Sequence, residues 1–232
     1  MVIKILASGS KGNCCWISDG KTSLLLEAGI PIRDIQRNFK LTGLGGCLIT
    51  HEHGDHAKAG ADLMKRSVDI YTSQGTATAR SWKSYRLHTV KSGCYFEVGT
   101  FKVMPFELEH DAAEPLGFFI ISQETQERLL YITDTHYARY RFNNLTHIMC
   151  ECNYDKEILL NNVKNGVIDP FLAQRIMRNH MSIETVIEML QANNLTLLQQ
   201  IYLLHLSEAN SDAEVFKKRI QRLTGAEVYV CY

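Results

Sequence analysis

Three histidines and an aspartate fall within the six residues His51-Glu52-His53-Gly54-Asp55-His56. Imidazole nitrogens and carboxylate oxygens at this spacing are the donors of a divalent-metal site. In extended backbone His51 and His53 project to the same side, and Gly54 lets the chain bend before Asp55 and His56. Further along, His110, Asp134 and His205 each stand at or near the end of a stretch that reads as a strand. With His51, His53, Asp55 and His56 they make seven nitrogen or oxygen ligands, enough for two ions if one carboxylate bridges them.

The elements that must carry these residues follow from pattern. Cys47-Leu48-Ile49-Thr50 reads as a short apolar strand and Ala57 to Arg66 as a helix, so the ligand loop sits at a strand's C-terminal end. Upstream, a strand over Val2 to Ala7 leads through the small loop Ser8-Gly9-Ser10-Lys11-Gly12-Asn13 into a hairpin, Cys14 to Ser18 and Thr22 to Ala28, turning at Asp19-Gly20. Pro31 to Phe39 suits a helix with Pro31 in its first turn. Strands are expected at Asp69 to Thr72, Cys94 to Val98 and Phe101 to Glu107, with a helix near Gly75 to Trp82. A second hairpin, Gly117 to Ser122 with Arg128 to Thr133, delivers Asp134, and Thr146 to Cys152 carries Glu151 near its end.

Helical patterning covers Lys156 to Val163, Pro170 to Arg178 and Ile183 to Asn193, the last capped by Ser182. Ile201 to Leu206 is an apolar strand carrying His205. Ser211-Asp212-Ala213-Glu214 reads as a capping box for a helix to Leu223, and Ala226 to Cys231 as a closing strand. Periodicity alone supports α/β or α+β, in one domain over 1–232.

With 25 basic and 25 acidic residues the formal charge is zero, which excludes a strongly basic nucleic-acid binder but not a phosphodiester substrate, because bound cations would add positive charge. No apolar run is long enough for a membrane span, and the N-terminus lacks a signal-peptide layout. Seven scattered cysteines then read as reduced thiols, and the protein as cytoplasmic. The basic face of the last helix, Lys217, Lys218, Arg219 and Arg222, reads as solvated surface.

The motif His51 to His56 matches the H-x-H-x-D-H signature of the metallo-β-lactamase superfamily, which the chain resembles over nearly its whole length. Within it the chain is most similar to the YycJ/WalJ subgroup, bacterial proteins linked to 5′-to-3′ exonuclease activity on DNA. The matching pieces are Ser8 to Cys14, Thr50 to His56, His110 to Ala112, Pro115 to Phe118, Thr133 to Thr135, Glu151 to Asn153, His180 to Ser182 and Leu204 to Ser207. This resemblance implies an α+β fold, the αββα four-layer sandwich, and two divalent ions, zinc or manganese. It places one ion on His51, His53 and His110, the other on Asp55, His56 and His205, and Asp134 between them.

The activity implied is a phosphodiesterase acting on nucleic acid, a DNA 5′-to-3′ exonuclease, with a metal-bridging hydroxide as nucleophile. Asp55 would orient that hydroxide, His180 would protonate the leaving oxygen, and Glu151 would set the state of His180. Ser8, Ser10, Lys11 and Asn13 are candidate phosphate contacts, a plain turn being the alternative. Two other functions fit the same ligands: hydrolysis of a small or cyclic nucleotide, and a metal-binding accessory protein without turnover. The sequence departs from the family pattern at Glu27, His136 and Asn179, where aspartate, glycine and glycine are usual.

Overall fold

The computed structural model describes all residues, Met1–Tyr232, and divides them into two compact units: Met1–Glu107 with Ala112–Glu127, and Leu108–Asp111 with Arg128–Tyr232.

The first unit is built on a six-stranded sheet whose spatial order is its chain order: β1 (Val2–Ala7), β2 (Cys14–Ser18), β3 (Ser23–Leu26), β4 (Gly46–Leu48), β5 (Ile70–Thr72) and β6 (Leu87–Thr89). The first three strands are antiparallel, β1 joined to β2 through residues 8–13 and β2 to β3 where Asp19-Gly20 makes the turn. From β3 to β6 pairing is parallel, so each connection must cross over, and α1 (Ile32–Asn38) fills the first crossover. Pro31 caps α1 rather than lying within it. A core of Leu25, Ile35, Cys47, Ile49, Leu63 and Ile70, all buried, packs the helices onto this sheet. Three further strands, β7 (Phe96–Val98), β8 (Phe101–Glu107) and β9 (Leu116–Ser122), form an antiparallel meander. Asp19 ties it to the first hairpin, accepting from the Ser122 and Thr100 hydroxyls and from the backbone of Lys21 and Thr22.

Two expectations change here. The strand before the ligand loop ends at Leu48, not Thr50, and the helix expected over Ala57 to Arg66 is two short helices, α2 (Gly54–Ala57) and α3 (Gly60–Lys65). The break has a cause: the Ala59 N–H donates to the Ala28 carbonyl at 2.8 Å, leaving the helical ladder to bind a neighbouring turn. β6 was not expected at all, and α4 (Gln74–Ala79) ends short of Trp82.

In the second unit β10 (Arg128–Ile132), β11 (His147–Glu151), β12 (Gln200–Leu204) and β13 (Glu227–Val230) pair in parallel. Three helices, α5 (Lys156–Lys164), α6 (Pro170–Asn179) and α7 (Ile183–Ala192), lie in the chain between β11 and β12, and α8 (Ala213–Thr224) lies between β12 and β13. Asp155, Asp169 and Ser182 cap α5, α6 and α7 with their side chains. For α8 the expected capping box is replaced: the helix starts one residue later, Asp212 accepts the Val215 N–H as its cap, and the Ser211 hydroxyl donates to the Ser207 carbonyl. Gly225 closes α8 in the left-handed conformation at φ 69°.

Candidate metal centre

Parallel strands side by side end side by side, so residues just past their C-termini are brought together. In the second unit Asp134 follows β10, Glu151 ends β11 and His205 follows β12, and the ladder is in register, with Ile132 opposite Cys150 and Glu151 opposite Leu204. Asp134 and His205 turn the chain immediately, at φ 49° and 54°. Such left-handed backbone is rare for residues with a Cβ and marks places where the surroundings dictate the conformation.

His180 joins them from the junction of α6 and α7. The segment after it is pinned to the chain leaving β11: the Asn153 N–H donates to the Met181 carbonyl at 2.9 Å and the Ile183 N–H to the Tyr154 carbonyl at 2.9 Å. His180 Nδ1 thereby lies 2.8 Å from Glu151 Oε2, whose other oxygen accepts the Thr135 N–H. His205 Nδ1 is 2.9 Å from Asp134 Oδ1, and Asn153 Nδ2 donates to the His205 carbonyl at 2.8 Å, which holds the turn. One ligand atom each from Asp134, Glu151, His180 and His205 lie within 4.8 Å of one another. His110 stands nearby, its Nε2 3.9 Å from Asp134 Oδ2, in a segment tied down by the Glu109 N–H to Thr135 Oγ1.

The electrostatics follow from burial and pairing. Burial opposes ionisation of Glu151, but the His180 charge and hydrogen bonds from His180 and His205 hold its carboxyl below the usual range. Burial likewise disfavours imidazolium at His180 and His205, yet Glu151 raises the first, and Asp134 with Glu151 push the second up to about 10. The Asp134 and Glu151 carboxylates beside the His180 and His205 imidazoles are a nitrogen and oxygen donor set, and a divalent cation would displace the proton of any imidazole it binds, so the residues present fit a metal site.

The first unit assembles the other motif in the same manner. Glu27, in left-handed backbone at φ 68°, follows β3, and His51 follows β4. Nε2 of His51 is 3.1 Å from Nδ1 of His53, and the Thr50 hydroxyl, 2.9 Å from His51 Nδ1, fixes the ring. His56, on α2, is fully buried with Nδ1 3.5 Å from Glu27 Oε1 and Nε2 3.5 Å from Asp55 Oδ2. Glu27 also accepts the Thr50 N–H, so the longer side chain at this position reaches both His56 and the start of the ligand loop. Carboxylates behind ligating imidazoles fix their orientation.

Among the candidate phosphate contacts, Asn13 is buried and bonds to Gly9, the Asp55 carbonyl and His56 Nε2 (3.1 Å), while Ser10 and Lys11 are exposed and Ser8 is half-buried. Gly29 seals the arrangement: a Cβ there would lie 1.7 Å from the Asp55 carbonyl oxygen. His136 is half-exposed, 3.1 Å from Glu109 Oε2, and Asn179 ends α6. Sequence reasoning missed Thr135, Asn153 and Glu109 as supports; Thr135 and Asn153 lie inside the motifs Thr133-Asp134-Thr135 and Glu151-Cys152-Asn153, where their hydrogen-bonding capacity was the available signal.

A cleft of about 450 Å³ opens in the second unit beside this cluster, lined by residues including Glu109, His110, His136, Arg178 and Asn179. All seven cysteines are free thiols, and no helix is long and apolar enough to cross a membrane.

The pattern of a family described as beta-lactamase superfamily domain matches residues 22–205. Exodeoxyribonuclease WalJ of Streptococcus pneumoniae is 30% identical over 230 residues, covering 91% of this chain and 83% of that protein. Exodeoxyribonuclease YycJ of Bacillus anthracis is 29% identical over 239 residues, covering 94% and 87%. Among solved structures, the metallo-β-lactamase fold protein YhfI of Bacillus subtilis superposes with a TM-score of 0.74 at 12% identity, over 99% of this chain and 95% of its own. The last likeness is one of fold, and it is the α+β fold that the motifs implied.

Proposed function

Because the chain belongs to the beta-lactamase superfamily and is a metal-dependent hydrolase, we propose that it is a dinuclear phosphodiesterase acting on nucleic acid, a DNA 5′-to-3′ exonuclease. The observation that carries this reading is the pairing of His180 with buried Glu151 at 2.8 Å, beside Asp134 and His205. As water adds to phosphorus and a P–O bond of the phosphodiester breaks, the departing sugar oxygen leaves as an alkoxide that needs a proton, and a hydrogen-bonded imidazolium is suited to give one. Relatives named exodeoxyribonucleases, alike over most of the chain, support the choice of substrate.

In this reading His51, His53 and His110 hold one divalent ion, Asp55, His56 and His205 the other, and Asp134 serves both. The ions, zinc or manganese, supply Lewis acidity toward the phosphoryl oxygens and lower the pKa of a water. The chain's own residues do the rest. Glu27 and Thr50 orient His56 and His51. Asp55 orients the attacking water, and Glu151 holds Nδ1 of His180 protonated, leaving Nε2 to deliver the proton. Ser8, Ser10 and Lys11 bind phosphate, with Asn13 holding their loop against Asp55 and His56.

The test is digestion of 5′-labelled single- and double-stranded DNA with manganese or zinc, comparing wild type with Asp134→Ala and His180→Ala. Progressive 5′ digestion abolished in Asp134→Ala and strongly reduced in His180→Ala is the expected result. Hydrolysis of a small phosphodiester without DNA digestion would replace the substrate class, and metal binding without either activity would leave an accessory protein.

A further inference from the structure

The stretch His136-Tyr137-Ala138-Arg139-Tyr140-Arg141-Phe142, one residue past Asp134, interleaves aromatic and basic residues and contains none of the seven proposed metal ligands. It has no regular secondary structure, yet it is anchored at both ends. The Thr135 hydroxyl bridges the carbonyls of Glu109 and Tyr137 at 3.1 and 2.9 Å, and the Phe142 N–H donates to Asn193 Oδ1 at 2.6 Å. Ala138 and Phe142 are buried, 8% and 6% exposed, while Tyr137 and Tyr140 are 45% and 38% exposed. Arg139 projects into solvent and reaches Glu109, and Arg141 is exposed without an ion pair.

Scattered exposed tyrosines are ordinary, and Tyr85 and Tyr232 are examples. Here two of them are interleaved with two arginines on a fixed loop, and the loop begins in the cleft, because His136 lines it beside His110, Arg178 and Asn179. Aromatic faces stack on bases of any sequence, and guanidinium groups track the phosphates of a single strand. A pinned loop loses little further freedom when a strand lies on it.

We propose that Tyr137–Arg141 is a platform for single-stranded DNA, Tyr137 and Tyr140 stacking on bases and Arg141 meeting the backbone, so that the strand end is led into the cleft beside His110. Its role rests on the nuclease reading, but its binding chemistry is separately testable.

The experiment measures binding of a short fluorescent phosphorothioate single strand, which resists cleavage, to the metal-loaded full-length protein, alongside digestion of unmodified DNA. Tyr137→Ala and Tyr140→Ala are each expected to weaken binding about ten-fold. Arg141→Gln should reduce the slope of log affinity against log salt by about 0.7. Melting temperature and hydrolysis of bis-p-nitrophenyl phosphate should stay at wild-type values, and Tyr85→Ala should bind as wild type. Loop variants that bind and digest DNA as wild type does would overturn the platform and leave the nuclease reading standing. Binding lost in the loop variants, with no digestion by wild type, would support the platform and overturn the nuclease reading. A wild type that binds no single strand overturns the platform.

Discussion

Replacing Glu151 with glutamine tests the proton-delivery argument at its narrowest point. The carboxylate is fully buried and accepts from two directions, the Thr135 N–H at Oε1 and His180 Nδ1 at Oε2. Glutamine keeps the shape but offers one acceptor oxygen and one amide donor, so one of those two bonds must be lost. At the observed 2.8 Å separation the gross attraction between unit charges is about 6 kcal/mol with an effective dielectric near 20. Desolvation of both groups cancels much of it, and a hydrogen bond to a charged partner is worth about 1.5–3 kcal/mol net. If that energy stabilises the imidazolium that gives up its proton, DNA hydrolysis in Glu151→Gln should fall about 10- to 150-fold.

The assay compares DNA with bis-p-nitrophenyl phosphate, whose leaving group departs without protonation and should lose no more than about three-fold. Glu151 raises the His180 pKa, so the acid form persists to higher pH in wild type. Without the carboxylate the alkaline limb of the rate profile should move to lower pH. Equal losses on both substrates, with an unmoved limb and wild-type metal content, would refute proton delivery through this pair.

Four other outcomes are expected. Gly29→Ala should lower metal content and stability together, measured by elemental analysis and thermal melting, because its Cβ meets the Asp55 carbonyl at 1.7 Å. Asp19→Ala should cost about 1–3 kcal/mol in urea unfolding at pH 7, since it strands the Ser122 hydroxyl and the Lys21 and Thr22 N–H groups. Burial raises the Asp19 pKa, but the Thr100 hydrogen bond and its companions outweigh this and lower it from 3.8. Its stabilisation is therefore present above that value and fades as pH falls through the folded pKa, where the variant and wild type should converge. Maleimide should label Cys94 alone in the native protein at pH 7 and all seven cysteines in denaturant, because the others are buried, with Cys14, Cys150 and Cys231 raised to about 12 by burial. Chelation should lower the melting temperature and manganese or zinc restore it, saturating metal at about a hundred times its Kd contributing ~2.7 kcal/mol.

The candidate ligand loop is legible because its donors are adjacent in sequence: His51, His53, Asp55 and His56 point to metal chemistry by spacing alone. Asp134 and His205 were legible only as polar residues at the ends of apolar runs, and the parallel register of β10, β11 and β12 supplies the rest. What the pattern could not show were contacts between remote turns. The break between α2 and α3 comes from an Ala28 carbonyl far back in the chain, and Ser211 turns back to the Ser207 carbonyl while Asp212 caps α8. Asn13, read as a candidate phosphate contact with a plain turn as the alternative, is packed on His56, a placement that needs β2 and α2 to be brought together first. β6, only Leu87–Thr89, is too short to show alternation.

Glu27, Asp134 and His205 share left-handed backbone. Each conformation costs a residue with a Cβ about 1–2 kcal/mol, which glycine would not incur. Glycine would relieve that strain at 27, 134 and 205, but it would also strand the Thr50 N–H and His56 beside Glu27 and break the pairing of Asp134 with His205, at about 1–3 kcal/mol for each buried group left unpaired. The side chains that bear the chemistry therefore also hold their own strained turns, and the strain persists because their contacts offset it.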